Sequence, residues 1–258
     1  MAWRKASAVP SGRAARPDAA SSGPPGTVLL VSAHLDRPLR LGEVLAEAIR
    51  IYGARPWAAL GVGAFVGAML LLGALTGHIV GFVAAISVAF TLAFGVSARL
   101  VSGDGFREAW AQTIVRSPVL LPLTVVVALP FTLGRIDPLL LLFAVAWLAV
   151  SGFSIPVAML ERSPGGDSWF QRLGFSLQRS LHLSRAEYLH ALGVAATLVM
   201  IYVFFGQLLV ALLHGFADNG GLAATALVQI VLAPFFFLGL SVLYFEQKAR
   251  AVSSPGRG

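Results

Sequence analysis

The residues able to do chemistry in this chain are few, and most of them sit inside long apolar runs. Gln207 and Gln229 are the most polar groups deep within such runs, with Ser87, Thr91, Thr124, Ser151, Ser154 and Tyr202 as weaker donors and acceptors. Amides and hydroxyls in an apolar run bond neighbouring helices or their own backbone, or line a path for a small solute. Gln207, Gln229, Ser151 and Ser154 are therefore read as helix contacts first and as a polar path second. No run carries Asp, Glu, Lys, Arg or His near its middle, where a proton-coupled pump would need a carboxylate or histidine. Glu161, Arg99 and Arg179 flank the apolar runs, as do Glu246 and Lys248. Anchoring at a membrane interface or pairing explains them, with a gate or binding site as the sharper alternative.

No catalytic constellation emerges. The absence of cysteine removes a disulfide framework, a thiolate metal site and a cysteine nucleophile. The run Ala33-His34-Leu35-Asp36 resembles part of the opening of zinc-dependent N-acetylglucosaminyl deacetylases. Leu35 and Arg37 stand where that pattern needs a proline and a second acid, and no α/β sequence follows. Gly166-Asp167-Ser168 resembles a lipase nucleophile turn, yet it opens an amphipathic segment where Asp or Ser is an ordinary helix N-cap. The expectation is a protein that is not an enzyme and uses no cofactor and no metal.

What must position these groups is a set of membrane spans. Of 258 residues, 57% are hydrophobic and 12% charged, and mean hydropathy is +0.80; in soluble domains about a quarter of residues are charged. From Trp57 to Val101 the first formal charge is Arg99. Roughly 20 apolar helical residues cross the hydrocarbon core, so this stretch holds two passes with a turn at Thr76, Gly77 and His78. The unit of one amphipathic segment plus one apolar hairpin recurs twice. The first segment has Leu41, Val44, Leu45, Ala48 and Tyr52 as its stripe and ends at Gly53 and Pro56. The second puts Phe106, Ala109, Trp110, Thr113 and Ile114 on one face before Pro118, and the third has Phe170, Leu173, Leu177 and Leu181. Each is expected to lie on the membrane surface as a collar.

The predicted fold is all-α and integral to the membrane: six transmembrane helices as three hairpins, each preceded by a cytoplasmic amphipathic helix. The membrane domain covers residues 37–250, with spans near 57–77, 79–101, 117–133, 138–160, 189–213 and 222–245. Residues 1–36 read as a disordered basic tail, with an over-long gene start as an equal account, and 251–258 as a second tail. Pro122, Pro130, Pro156 and Pro234 predict kinks that shape packing. Gly63-x-x-x-Gly67 offers a small-residue face for close helix approach, and weak support for dimerisation.

Six passes place both termini on one side. Of the 19 Lys and Arg residues, only Arg135 falls on the opposite face. The positive-inside rule then puts the collars and both termini in the cytoplasm. The net charge of +7 is accordingly a topology signal; no compact basic domain carries it, so nucleic acid is not an expected partner. Membrane lipids with anionic headgroups are, with a second copy of the chain or an unidentified membrane or cytoplasmic protein as further candidates.

Arg37, Pro38, Leu39, Gly42, Glu43, Leu45 and Tyr52 together resemble the opening of a large group of bacterial, often actinobacterial, multipass proteins classed with the glycerophosphoryl diester phosphodiesterase membrane domain. Pro156, Glu161, Arg179 and Ser180 are similar to a second motif of that group, and Leu243-Tyr244-Phe245-Glu246 to the run that closes its last span. The resemblance implies a membrane domain of a bacterial inner membrane without the soluble phosphodiesterase barrel, and hence no enzyme. The functional expectation is a non-enzymatic membrane scaffold or lipid-organising protein; the alternative is a transporter or channel subunit for a small or lipidic solute.

Overall fold

The structure is a computed structural model that describes residues 38–133, 139–163, 168–214 and 220–253. The expected tail at 1–36, the turns holding Arg135 and Asn219, and Asp167 lie outside the described residues. Among the described residues the chain is helical throughout, with no strand. Helix α1 (Leu41–Ala54) leads into the hairpin of α2 (Pro56–Leu75) and α3 (Ile79–Val101). Helix α4 (Phe106–Leu133) pairs with a pass broken into α5 (Leu139–Ser151) and α6 (Ser154–Leu160). Helix α7 (Trp169–Ala186) precedes the hairpin of α8 (Tyr188–His214) and α9 (Gly220–Ser253).

Among the described residues six stretches are long and apolar enough to cross a membrane: Pro56–Leu75, Ile79–Val101, Phe106–Phe131, Leu139–Leu160, Tyr188–Leu213 and Ala224–Ser253. The protein is thus an all-α multipass membrane protein. The first hairpin turns tightly because Gly77 takes φ +64, a left-handed conformation open to glycine at no steric cost. The Thr76 hydroxyl closes the turn by donating to the Gly73 carbonyl at 2.7 Å.

The three amphipathic segments depart from the expected collars, each for a local reason. In α1 the stripe is used on the protein: Val44, Ala48 and Ile51 are buried, and α1 packs against α9. The second segment is not a separate helix, since α4 runs unbroken from Phe106 through Pro118. Proline at 118 removes the amide that would bond the Ile114 carbonyl, but the Ser117 hydroxyl donates to that oxygen at 2.8 Å. In α7 the buried face is Ser176, Ser180, Leu183 and Ser184, whereas Phe170 is 75% and Leu181 47% exposed. Small serines let α7 approach the broken pass, while Leu173 and Leu177 of the expected stripe pack at the edge of the core and Phe170 and Leu181 stay outward.

Prolines inside apolar spans free carbonyls that lipid cannot satisfy, so other groups must. Pro122 frees the Pro118 carbonyl, which accepts from the Trp169 indole at 2.9 Å. Pro130 frees the Val126 carbonyl, which accepts from the Trp147 indole at 2.9 Å. In the broken pass the Val150 carbonyl accepts from the Ser180 hydroxyl and the Ser151 carbonyl from the Ser154 hydroxyl, both at 2.6 Å.

Pro234 frees the Ile230 carbonyl in α9, and that oxygen faces Gly63 of α2. A Cβ built on Gly63 would lie 2.2 Å from it, and one on Gly67 would lie 3.0 Å from the Ala226 carbonyl. The Gly63-x-x-x-Gly67 face therefore seats the first span on the last, within one chain, with Cα–H groups against carbonyls. Gly63→Ala should force the two backbones apart and lower stability by about 1–3 kcal/mol, the range for overpacking. Thermal unfolding in detergent reads this as a lowered Tm with the oligomeric state unchanged. A variant with native Tm but a lost dimer would reverse the assignment.

Candidate functional site

Every one of the six spans contributes to a cavity of about 310 Å³ in the middle of the bundle. Its walls are mostly apolar, including Phe90, Phe94, Leu148, Ile155, Phe236 and Phe237. The aromatic side packs edge to face, with the Phe90 and Phe237 ring centroids 5.2 Å apart. Polar groups on the lining are Thr124, Thr225, Tyr202 and Gln229. The two threonines donate to carbonyls of their own helices, Leu120 at 3.0 Å and Gly221 at 2.7 Å. The Tyr202 hydroxyl donates to the Gln229 side-chain oxygen. One bonded phenol–amide pair in an apolar chamber can orient a ligand with a single polar group, and among the described residues no acid or base lines the wall for proton transfer.

The polar residues singled out in the sequence take separate roles. Gln229 is 8% exposed and faces the cavity with Tyr202, whereas Gln207 is exposed on the outside of α8. Ser151 donates to the Trp147 carbonyl at 2.8 Å and Ser154 to the Ser151 carbonyl, so both hydroxyls serve the backbone at the break between α5 and α6. Thr91 reaches Thr124 at 3.0 Å and links α3 to α4.

The charged groups gather where helices outrun the hydrocarbon. Helix α9 has 34 residues, about 50 Å at 1.5 Å per residue, so its last turns stand beyond a core of about 30 Å. There Tyr244 donates to Glu161 at 2.8 Å, Arg179 donates to the other Glu161 oxygen at 3.2 Å, and Lys248 lies 3.6 Å away. A second junction forms around Arg250. It bonds the fully buried Glu246, pairs with Glu187, and donates to the Leu39 carbonyl at 2.8 Å. His190 stands 3.7 Å from Glu246 and Gln247 donates to it at 3.0 Å. Arg99 pairs with Asp104 at 2.8 Å, and Arg55 donates to the Asp104 carbonyl at 2.6 Å. Outside the spans, the Glu47 side chain bonds Arg50 at 2.8 and 2.5 Å and holds that guanidinium above its ordinary pKa.

Sequence reasoning named Glu161, Arg99, Arg179, Glu246 and Lys248 at the span ends without assigning partners; the structure gives Glu246 to Arg250 and Lys248 to Glu161. It missed Arg250 and Arg116 as site residues, because both sit just outside stretches read as spans and the partners that tie them to other elements, Leu39 and Glu187 for Arg250 and Ala158 and Met159 for Arg116, lie far along the chain. Among the described residues no group of three or more His, Asp or Glu side chains converges on a point that could hold a metal ion.

Six apolar helices around an apolar chamber, with charge gathered at one end, define a multipass membrane bundle. No protein-family model, no curated protein and no solved structure matches the chain.

Glu161 joins α6, α7 and α9, and its side chain is 14% exposed. Glu161→Gln keeps the size but drops the charge that Arg179 and Lys248 share. Removing one partner of a largely buried charged hydrogen bond costs about 1.5–3 kcal/mol, so the midpoint of detergent-solubilised unfolding should fall accordingly. An unchanged midpoint would mean that the cluster is incidental to stability.

Proposed function

We propose that the chain is a non-enzymatic, lipid-organising protein of a bacterial inner membrane, with both termini and the three amphipathic segments on the cytoplasmic face. The observation that carries this reading is the one-sided charge: every described Lys and Arg lies at the end of the bundle that holds α1, α7 and the Glu161 cluster. Each basic residue near an anionic bilayer surface adds about 1 kcal/mol of attraction. Exposed apolar side chains at the same end, among them Trp57, Ile114 and Phe170, support seating at the interface. Membership of the multipass group resembled in the sequence belongs to the same proposal. The meeting of Glu161, Arg179 and Tyr244, three residues that carry that resemblance, is consistent with a shared end structure.

The central chamber favours a second reading, a transporter that moves a lipidic solute past the Tyr202–Gln229 pair. Gln229→Leu then abolishes movement of a headgroup-labelled lipid across reconstituted vesicles, whereas the lipid-organising reading predicts no movement in either protein.

Two measurements test the leading proposal. Phospholipid extracted from protein purified in mild detergent should be enriched in anionic species relative to the bulk membrane; identical composition would contradict it. Orientation is read from single cysteines introduced into this cysteine-free chain. An impermeant maleimide added outside spheroplasts should modify His78→Cys and spare Arg107→Cys, and the reverse pattern would invert the topology.

A further inference from the structure

The central chamber is long and narrow. Along α9 its lining runs from Thr225 through Gln229 to Leu240, about 22 Å at 1.5 Å per residue. A volume of about 310 Å³ drawn out over that length admits one hydrocarbon chain and excludes two side by side. Its ends differ. Phe94, Leu148, Ile155 and Leu240, toward the charged end, are at most 3% exposed, whereas Val203 and Thr225, toward the short turns, are exposed. The slot is closed at depth and opens where Val203 and Thr225 stand.

Among the described lining residues this slot has one unspent side-chain donor. The Thr124 and Thr225 hydroxyls donate to the Leu120 and Gly221 carbonyls, and the Tyr202 hydroxyl donates to Gln229 Oε1. That leaves Gln229 Nε2, which makes no hydrogen bond among the described residues. Gln229 is 8% exposed, yet its nitrogen is not sealed by packed atoms as Trp110 Nε1 and Gln247 Oε1 are. The space beside it is the chamber that Gln229 lines. An amide N–H left unbonded in hydrocarbon is costly, and the bond from Tyr202 fixes the amide so that nitrogen, not oxygen, is offered. A carbonyl oxygen meets that N–H without bringing a donor of its own into a mostly apolar slot. Two turns deeper, Phe236 and Phe237 continue the wall, and Leu240 lies about 16 Å beyond Gln229 at 1.5 Å per residue.

We propose that the chamber binds a single lipid chain headed by a carbonyl, with the carbonyl oxygen accepting from Gln229 Nε2 and the chain running inward past Phe236 and Phe237. An acyl ester and a prenylated quinone share that chemistry. The proposal takes from the transport reading only that the chamber receives a ligand; it needs no movement across the bilayer.

The test uses full-length protein in dodecyl maltoside, a detergent without a carbonyl, and native mass spectrometry. Probes are 1-monolauroylglycerol, its carbonyl-free ether 1-O-dodecylglycerol, and a short-tailed menaquinone. The ester should be retained about two- to tenfold more strongly than the ether, the factor that one neutral hydrogen bond supplies. Gln229→Leu should lose that preference and still bind both chains. Tyr202→Phe removes the same internal bond but leaves Nε2 in place, so it should keep the preference; equal loss in both variants would overturn the contact. Ala128→Phe, which fills the slot from α4, should release both probes. Displacement of the ester by the menaquinone would assign the quinone, and retention the acyl chain; both support a carbonyl site. Equal retention of ester and ether by the wild type would overturn the proposal. Carbonyl-selective binding in a protein that moves no labelled lipid would uphold it and end the transport reading, whereas lipid movement without that selectivity would do the reverse.

Discussion

A peptide group in hydrocarbon has no water to bond, and this fold is arranged around that constraint. Five prolines, at 118, 122, 130, 156 and 234, stand inside helices and each deletes an amide donor. Three carbonyls freed in α4 are met by the Ser117 hydroxyl and the Trp169 and Trp147 indoles. The one freed in α9 is pressed against the bare Cα of Gly63. These repairs are also the tertiary contacts: Trp169 ties α7 to α4, Trp147 ties α5 to α4, and Gly63 ties α2 to α9. Packing between spans, which gains little from hydrophobicity inside a bilayer, is thereby given direction.

The same arrangement separates two environments that the chain uses differently. In the middle, hydroxyls of Ser151, Ser154 and Thr124 turn back to their own backbones, and the chamber keeps one phenol–amide pair. At the charged end, helices that outrun the core carry Glu161, Glu246 and Arg250 into water-facing depth, where they knit α1, α7 and α9 together. Along α6, Ile155 lines the apolar chamber and Glu161, at the helix end, belongs to the charged cluster. An amphiphile has that same division, charged at one end and oily along the rest.

Much of the fold was legible in the sequence because it rests on one-dimensional signals. The apolar runs, the turn at Gly77 and the clustering of Arg and Lys need only length and composition to be read. The amphipathic segments were harder. A stripe such as Phe170, Leu173, Leu177 and Leu181 states that a helix has an apolar face, but not whether protein or lipid receives it; the serines at 176, 180 and 184 won the protein side because they are small and Ser180 bonds the broken pass. Helix α4 was read as two pieces since Pro118 ordinarily ends a helix, and Ser117 overrides it. Gln207 and Gln229 were equal by type, yet only the register of α8 and α9 turns one outward and one inward. The partners of Glu161 lie 18 and 83 residues away, a separation that no local pattern reveals.

The central claim is that the first and last spans close on each other through the Gly63 and Gly67 face. Because the chain lacks cysteine, Gly67→Cys combined with Ala226→Cys gives a direct measurement, as this approach lies within disulfide reach. Mild oxidation in native membranes should join the two within a single chain, so that protease cleavage between α4 and α7 leaves the fragments covalently linked. Covalent dimers in place of that internal link, or no link at all, would contradict the account.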